Sequence, residues 1–175
     1  QHYQWYYSGP RANHDMQDCP QGLHNFLRAY YHVKSTDWSG NQPFPLQAAT
    51  AQELAKLPRY YVMNLDSNMA ETAGQHMPSP SAIADCHWLP DDALAVYVRE
   101  YMRTGFQGGL QWYRCATDIR QFQELSLFSG RRIEVPSAFV AGKADWGIFQ
   151  SPGAFEKMKS RSCTTLLMCK QIEGA

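Results

Sequence analysis

Apolar side chains recur at helical spacing over most of the first 130 residues. From Gly22 to about Val33 the apolar positions fall on one face, which predicts an amphipathic helix. A second apolar face follows Asp91, whose acidic side chain suits a helix N-terminus, and it ends at Gly105, a residue type that often terminates helices. These patterns predict a region that is built mainly from helices.

Two further helices are indicated by residue types at their boundaries. Thr50 and Glu53 have the spacing of a capping box, and Pro58 follows as a stop signal. Another helix is predicted from about Leu110 toward Phe122. By contrast, the stretch from Leu65 to Trp88 is polar and has little periodicity, so it is predicted to be a long surface loop.

The pattern changes near Gly130. Residues 135–142 form a short, continuously apolar run between Pro and Gly positions, which is typical of a buried parallel strand. Ser151 and Pro152 suit the start of a helix, and residues 164–172 form a second apolar run. Strand, helix and strand make a βαβ unit, but two strands cannot bury both faces of a sheet. The chain is therefore predicted to hold a mostly α-helical cap, or lid, over residues 1–130 and a partial α/β core over residues 131–175.

Charge and cysteine content exclude several classes of function. The 16 basic and 16 acidic residues balance, so no charged field favours nucleic acid or an anionic membrane. No apolar run approaches the roughly 20 residues that span a bilayer. The five cysteines form no C-x-x-C pair, which predicts reduced and mostly buried thiols in a cytoplasmic protein. Because no histidine lies at ligand spacing beside them, neither a metal nor another cofactor is predicted.

The aromatic content, 13% of the chain, is high and includes many tyrosines and tryptophans. It indicates either a large core or an apolar pocket that is lined by aromatic rings and carries a few hydroxyl donors. Composition alone does not separate these two interpretations.

Three segments contain candidate catalytic residues. Asp145 directly follows the first predicted strand, where a carboxylate can orient a histidine or simply cap a turn. Tyr113 lies among aromatic residues, where its hydroxyl can donate into an apolar pocket or its ring can pack in the core. The run from Tyr3 to Tyr7 is rich in tyrosine, and its alternative interpretation is a frayed terminus.

Taken in this order, the segments resemble the epoxide hydrolases of the α/β-hydrolase superfamily. The cap of that family opens with a tyrosine–glutamine pair followed by aromatic residues, as do Tyr3 and Gln4. A later cap segment carries a second tyrosine before an arginine, as in the run 112–114, and a strand and loop then end in an acid, as in the run 142–145. The resemblance spans nearly the whole sequence. It identifies the two predicted parts as the lid and a partial C-terminal α/β-hydrolase core segment.

The resemblance implies a parent enzyme that opens an epoxide to a vicinal diol through an aspartyl-ester intermediate. In that enzyme Tyr3 and Tyr113 would hold and protonate the epoxide oxygen, and Asp145 would orient a catalytic histidine. Tyr6 and Tyr7 remain alternatives for the first tyrosine. The residues expected to contact a small apolar epoxide are Gln4, Phe106, Trp112 and Trp146.

The sequence also departs from the family pattern. No Gly-x-Ser-x-Gly elbow or corresponding aspartate turn precedes the lid, and none of the six histidines occupies the expected place. The first residue is not methionine, which suggests that the sequence begins inside a longer polypeptide. We therefore expect a fragment that is inactive alone and that self-associates through its exposed core strands.

Two other functions remain open. A haloalkane or haloacid dehalogenase shares the fold and the ester chemistry, and Trp5 and Trp112 could bind its departing halide, although paired tyrosines favour an epoxide oxygen. Alternatively, the helical lid is a non-catalytic module that binds an apolar ligand or a partner.

Overall fold

Helices joined by loops make up the first part of the molecule, and a strand–helix–strand unit follows them. The structure, a computed structural model, describes residues 1–175 except for the side chain of Phe122. The predicted order of a helical lid followed by a partial α/β core is confirmed, whereas the boundary near residue 130 stays a prediction. The helices are α1 (Tyr3–Ser8), α2 (Ala12–Gln17), α3 (Leu23–Val33), α4 (Ala51–Leu54), α5 (Met69–Gly74), α6 (Pro80–Ala84), α7 (Asp91–Thr104), α8 (Gln107–Thr117), α9 (Ile119–Leu125) and α10 (Ala154–Lys157). The strands are β1 (Ser137–Gly142) and β2 (Leu166–Ile172).

Helix α3 is the centre of the lid. Its predicted apolar face is buried and packs against α5 on one side and α7 on the other. Phe26, Leu27 and Val33 are almost completely removed from solvent. Burying each such side chain contributes about 1.5–3 kcal/mol, so this face supplies much of the stability of the lid.

The prediction of a long loop from Leu65 to Trp88 is wrong, because this stretch contains α5 and α6. Helix α5 begins with a complete capping box: Asn68 Oδ1 accepts from the Glu71 N–H at 2.9 Å, and Glu71 Oε2 accepts from the Asn68 N–H at 2.9 Å. Helix α6 begins at Pro80 after the N-cap Ser79. Both helices are too short for apolar periodicity, so their only local signals were these capping residues.

The N-terminal residues form a helix rather than a frayed end. Helix α1 buries Tyr6 and Tyr7 and packs against α8. The Tyr3 N–H donates to the Tyr61 carbonyl at 2.8 Å, which fixes the start of α1 beside the segment that follows α4. Helices α1 and α8, which lie near opposite ends of the lid sequence, are thus held against each other.

Helix α7 has the predicted bounds and ends at Gly105, whose φ of 62° is in the left-handed region. The predicted helix from Leu110 toward Phe122 begins earlier and is divided into α8 and α9 at Asp118. There the Asp118 carboxylate accepts from the Arg120 N–H at 3.0 Å and turns the chain.

In the part of the chain that the structure describes, no helix is both long and apolar enough to cross a membrane.

Strands β1 and β2 pair in parallel, as the βαβ pattern predicts, with Val140 opposite Lys170. Helix α10 begins at Ala154 rather than at Pro152, because Gly153 has a left-handed φ of 72° and the helix can start only after it. The loop after β1 contacts the lid through two hydrogen bonds. Asn41 Nδ2 donates to the Ala144 carbonyl at 3.2 Å, and the Leu46 N–H donates to the Phe149 carbonyl at 3.2 Å.

The cysteines are all free thiols, but the prediction that most are buried is wrong. Only Cys19 is buried, whereas Cys115 and Cys169 are exposed. The two exposed cysteines lie on α8 and β2. Thiol reagents are therefore expected to reach these positions in the folded chain.

Candidate functional site

The contact between α1 and α8 brings the two predicted donor tyrosines together. The rings of Tyr3 and Tyr113 meet edge to face, with centroids 5.8 Å apart and an interplanar angle of 78°. Tyr7, one turn further along α1, packs against Tyr113 with centroids 4.9 Å apart. Two segments from opposite ends of the lid sequence thus contribute to one aromatic site.

Two more tyrosines extend this site and define what we call the tyrosine cluster. The Tyr61 ring lies 5.2 Å from that of Tyr3, and the Tyr7 hydroxyl donates to the Tyr30 hydroxyl at 2.9 Å. The aromatic content of the sequence had two interpretations, a large core and an aromatic-lined site. The structure excludes neither of them. The tyrosine cluster consists of Tyr3, Tyr7, Tyr30, Tyr61 and Tyr113.

Burial keeps the phenols of the cluster protonated. Desolvation raises the pKa of Tyr3 and, together with the nearby Tyr3, that of Tyr113. The neighbouring Gln4 side chain partly opposes the rise in the pKa of Tyr3. Desolvation raises the pKa of Tyr7 and Tyr30 further, since both lie deeper in the lid. At neutral pH these groups are hydrogen-bond donors rather than phenolates.

The alternatives for the first donor differ in what their hydroxyls contact. The Tyr6 hydroxyl donates to Asp15 Oδ2 at 3.2 Å, and the Tyr7 hydroxyl donates to Tyr30. Both protons are thus directed into the lid. Tyr3 is only half-buried, and its ring contacts that of Tyr113.

An aromatic cavity of about 230 Å³ lies beside the tyrosine cluster. Phe106 forms part of its wall, where it stacks on Tyr101 with centroids 4.3 Å apart. Tyr113 lines the same cavity. One of the four predicted substrate contacts, Phe106, therefore lies in a cavity next to the predicted donors.

The other predicted substrate contacts lie in different surroundings. Gln4 is exposed beside Tyr3. Trp112 is 76% exposed, since it lies on a different face of α8 from Tyr113. Trp146 is 3% exposed and packs against Phe44, with centroids 5.2 Å apart, where the loop after β1 meets the lid. Its Nε1 is buried and has no hydrogen-bond partner among the residues described.

Asp145 follows the carboxyl end of β1 and is exposed. Its Oδ1 accepts from the Gly147 N–H at 2.7 Å and caps the short 3₁₀ turn Trp146–Ile148, so the turn-capping interpretation is correct for one of its oxygens. The backbone beyond β2 passes beside this loop, because the Ala144 N–H donates to the Ala175 carbonyl at 2.8 Å. Asp145 also lines a second cavity, of about 360 Å³, which it shares with Lys34, Tyr60 and Tyr61.

Lys34 is a feature of the site that the sequence did not predict. Its Nζ lies 4.8 Å from the ring centroid of Tyr30, 4.9 Å from that of Tyr60 and 5.5 Å from that of Tyr61. Desolvation of the ammonium group lowers the pKa of Lys34 to about 8, while the negative charge of Asp145 acts in the opposite direction. The rings come from two separate segments, so no local sequence pattern marked this lysine.

Within the described structure, no group of three or more His, Cys, Asp or Glu side chains is arranged to hold a metal ion. The chemistry available at the site is thus that of phenol donors, a carboxylate and one ammonium group.

Comparison with known proteins gives partial matches in sequence. No protein-family model matches the chain. The chain is 39% identical over 69 residues to epoxide hydrolase A of Mycobacterium tuberculosis, a match that covers 39% of this chain and 20% of that protein. It is 30% identical over 80 residues to epoxide hydrolase 1 of Siraitia grosvenorii, covering 46% of this chain and 24% of that protein.

Comparison with solved structures covers almost the entire chain. Potato epoxide hydrolase I aligns with 99% of this chain at a TM-score of 0.66 and 20% identity. A variant of a Vigna radiata epoxide hydrolase also aligns with 99% of it, at a TM-score of 0.64 and 19% identity. The chain covers 46% of the potato structure and 47% of the Vigna structure. It therefore shares their fold while spanning about half of their length.

Proposed function

We propose that this chain, which is related in sequence to epoxide hydrolases and shares their fold, forms the lid and part of the α/β-hydrolase core of an enzyme that converts an epoxide and water to a vicinal diol. The observation that carries the proposal is the contact between Tyr3 and Tyr113, whose ring centroids are 5.8 Å apart. This contact supports the proposal because it brings two phenols, each able to donate a hydrogen bond, from separate helices to one site.

Tyr3 and Tyr113 act on the oxygen that leaves carbon when the epoxide opens. A carboxylate nucleophile attacks one ring carbon, the bond from that carbon to oxygen breaks, and the oxygen takes a proton from a tyrosine. Because the phenols are partly desolvated, their hydrogen bonds to the developing alkoxide are stronger than they would be in water. The half-buried position of Tyr3 supports it as the first donor, since Tyr6 and Tyr7 already donate within the lid.

Asp145 serves in the second step, the hydrolysis of the ester. A histidine removes a proton from water, the hydroxide attacks the ester carbonyl, and Asp145 stabilises the imidazolium that forms. The tetrahedral intermediate then breaks its bond to the diol oxygen, which takes the proton from the imidazolium, and the regenerated carboxylic acid returns its proton to the tyrosinate. The parallel pairing of β1 and β2 supports this role, because the segments that follow both strands emerge at the same edge of the sheet. We assign no residue of this chain as the nucleophile or the histidine, and we expect the chain alone not to turn over an epoxide.

Phe106 and Gln4 complete the proposed site. Phe106 contacts the apolar part of the substrate from the wall of the aromatic cavity, and Gln4 orients the hydroxyl of Tyr3. The surroundings of Trp112, which is exposed, and of Trp146, which is buried against Phe44, give no further support for a substrate contact.

The test is epoxide turnover by the intact enzyme that contains this chain. Replacing either donor, as Tyr3→Phe or Tyr113→Phe, removes one proton donor without removing the ring, so we expect kcat for styrene oxide to fall about 100-fold or more. Tyr97→Phe is the matched control, because Tyr97 is exposed on α7 and lies outside the tyrosine cluster.

Two outcomes would overturn the proposal. The first is unchanged diol formation in both donor variants. The second is release of chloride from 1-chlorobutane without diol formation from styrene oxide, which would identify a dehalogenase instead.

A further inference from the structure

We propose that Lys34 is a positioning residue for the proposed reaction, and that its ammonium group balances the negative charge that Tyr3 or Tyr113 takes up when the epoxide opens. This inference rests on the proposed function and adds to it a residue that does not touch the substrate. Lys34 follows the last residue of α3, and its side chain extends over rings of the tyrosine cluster.

The first step of the proposed reaction moves a negative charge into the lid. The nucleophilic carboxylate becomes a neutral ester as it forms its bond to carbon, the bond from that carbon to oxygen breaks, and the oxygen takes a proton from a tyrosine. That tyrosine is left as a tyrosinate. Desolvation, which raises the pKa of both Tyr3 and Tyr113, makes such an ion costly. A positive charge nearby reduces this cost.

Lys34 lies close enough to the donors to act on them. Its Nζ is 4.8 Å from the ring centroid of Tyr30 and 5.5 Å from that of Tyr61. The Tyr61 ring lies in turn 5.2 Å from that of Tyr3, so a single ring connects the ammonium group to the first donor. Charges interact more strongly through packed protein than through water, so the effect extends across this ring.

The positive charge of Lys34 is not already neutralised by a direct partner. The groups that face it are Tyr30 from α3, Tyr60 and Tyr61 from the segment after α4, and Asp145 from the loop after β1. In the described part of the chain, no carboxylate forms a direct ion pair with Lys34. The ammonium group therefore remains available to a tyrosinate.

The ionisation of Lys34 gives this role a pH dependence. Desolvation, opposed by the charge of Asp145, lowers the pKa of Lys34 to about 8. The ammonium group is thus charged at neutral pH, and its effect on epoxide opening is lost as the pH rises through this value. An arginine keeps its charge throughout this range. A purely structural role of the side chain would show no such dependence.

The experiment compares kcat/KM for styrene oxide in the intact enzyme and its Lys34→Met and Lys34→Arg variants. At about pH 7 we expect Lys34→Met to lower kcat/KM by about threefold to tenfold. At about pH 9.5 the unmodified enzyme should fall to the value of Lys34→Met, whereas Lys34→Arg should exceed both. Lys170→Met, at an exposed position on β2, should match the unmodified enzyme at each pH.

Two kinetic results would overturn the inference: an unchanged kcat/KM in Lys34→Met at about pH 7, or a loss that is the same at both pH values. Helix content from circular dichroism checks that the variants are folded. Lys34→Gln, which is also neutral, replaces Lys34→Met in the comparison where that variant loses helix content.

A measurement without turnover separates this inference from the proposed function. With 3-nitrotyrosine in place of Tyr3, the phenol ionises at a much lower pH than that of tyrosine, and its absorbance reports the ionisation. We expect the pKa of this group to be higher by about 0.5 or more when Lys34→Met is also present. This result without epoxide turnover would overturn only the proposed function. Turnover that depends on Tyr3 and Tyr113, with the same nitrophenol pKa in both proteins, would overturn only the role of Lys34.

Discussion

The charged ammonium group of Lys34 lies in an aromatic environment. Its side chain as a whole remains exposed, yet its ammonium group lies over three tyrosine rings. Cation–π attraction favours the charged form, whereas loss of hydration disfavours it. Loss of hydration, partly opposed by the negative charge of Asp145, lowers the pKa of Lys34 to about 8.

This shift gives the stability of the chain a defined dependence on pH. The unfolded chain keeps the ordinary lysine pKa of 10.5, while the folded chain releases the proton near pH 8. Between these values the unfolded state binds more protons, so the free energy of unfolding rises with pH in this window. Below about pH 8 both states are charged, and the penalty for the desolvated ammonium is fully present.

The Lys34→Met substitution gives an apolar side chain of similar shape and removes the titrating ammonium group. We expect the variant to lack the rise in unfolding free energy between about pH 8 and 10 that the unmodified chain shows, as measured by urea denaturation at several pH values. Lys170→Met is the control, since Lys170 is exposed on β2. A difference between the Lys34 variant and the unmodified chain that stays constant with pH would contradict this prediction.

At the scale of single residues, the sequence predicted some of the site and missed the rest for physical reasons. Tyr3 and Tyr113 were chosen because the runs that contain them resemble the family pattern; their rings lie in contact, while their role stays a prediction. Lys34 was missed because its surroundings are assembled from segments distant in sequence. Trp112 was predicted to contact substrate as the neighbour of Tyr113, but adjacent residues of a helix point in different directions, and it is largely exposed.

Among the helices, α5 and α6 were not predicted, and their local sequence signals lie in the capping residues at their N-termini. Helix α5 has only six residues, yet it buries Met69, Ala70 and Ala73 against its neighbours. Its reciprocal capping bonds satisfy donors that water would otherwise have to satisfy. The same spacing at Thr50 was recognised in the sequence because Pro58 followed it.

Asn68→Ala tests the importance of the cap of α5. We expect a loss of about 1 kcal/mol in unfolding free energy, measured by urea denaturation, because both bonds of the capping box are removed or weakened. Thr50→Ala is a matched control on α4, where Glu53 accepts from the Gln47 N–H instead of closing the box and no residue is buried. A larger loss for Thr50→Ala than for Asn68→Ala would contradict the argument.

The strand–helix–strand unit was predicted almost completely, because its two apolar runs are continuous and separated by a helix signal. The start of α10 was misplaced by two residues, from Pro152 to Ala154, because a favourable Ser-Pro pair precedes a glycine with a left-handed backbone. The register of β1 against β2 could not be predicted, since it depends on contacts between strands rather than on the sequence of either one.

For the molecule as a whole, the two-stranded sheet exposes apolar side chains that a complete sheet would cover. Leu167 is 74% exposed, and Val140 and Met168 are also exposed on the strands. Open strand edges with apolar neighbours favour pairing between chains. The prediction of self-association therefore concerns this surface, not the lid.

Leu167→Lys should weaken that association, because it places a charge on the exposed sheet. We expect the average mass from light scattering to rise with concentration for the unmodified chain and to rise less for this variant. Leu65→Lys is the control, since Leu65 is 89% exposed but lies in the lid. A monomer mass for the unmodified chain at every concentration would contradict the prediction.

The loop that carries Asp145 is held by a part of the lid that does not line the aromatic cavity. Asn41 and Leu46 bond its backbone, and Phe44 covers Trp146, whereas the cavity is lined by helices. Substitutions that reshape the cavity for a bulkier substrate can therefore leave the acid where it is. In the enzyme that we propose, substrate selectivity and catalytic alignment are therefore separately adjustable traits, and directed evolution of one need not erode the other.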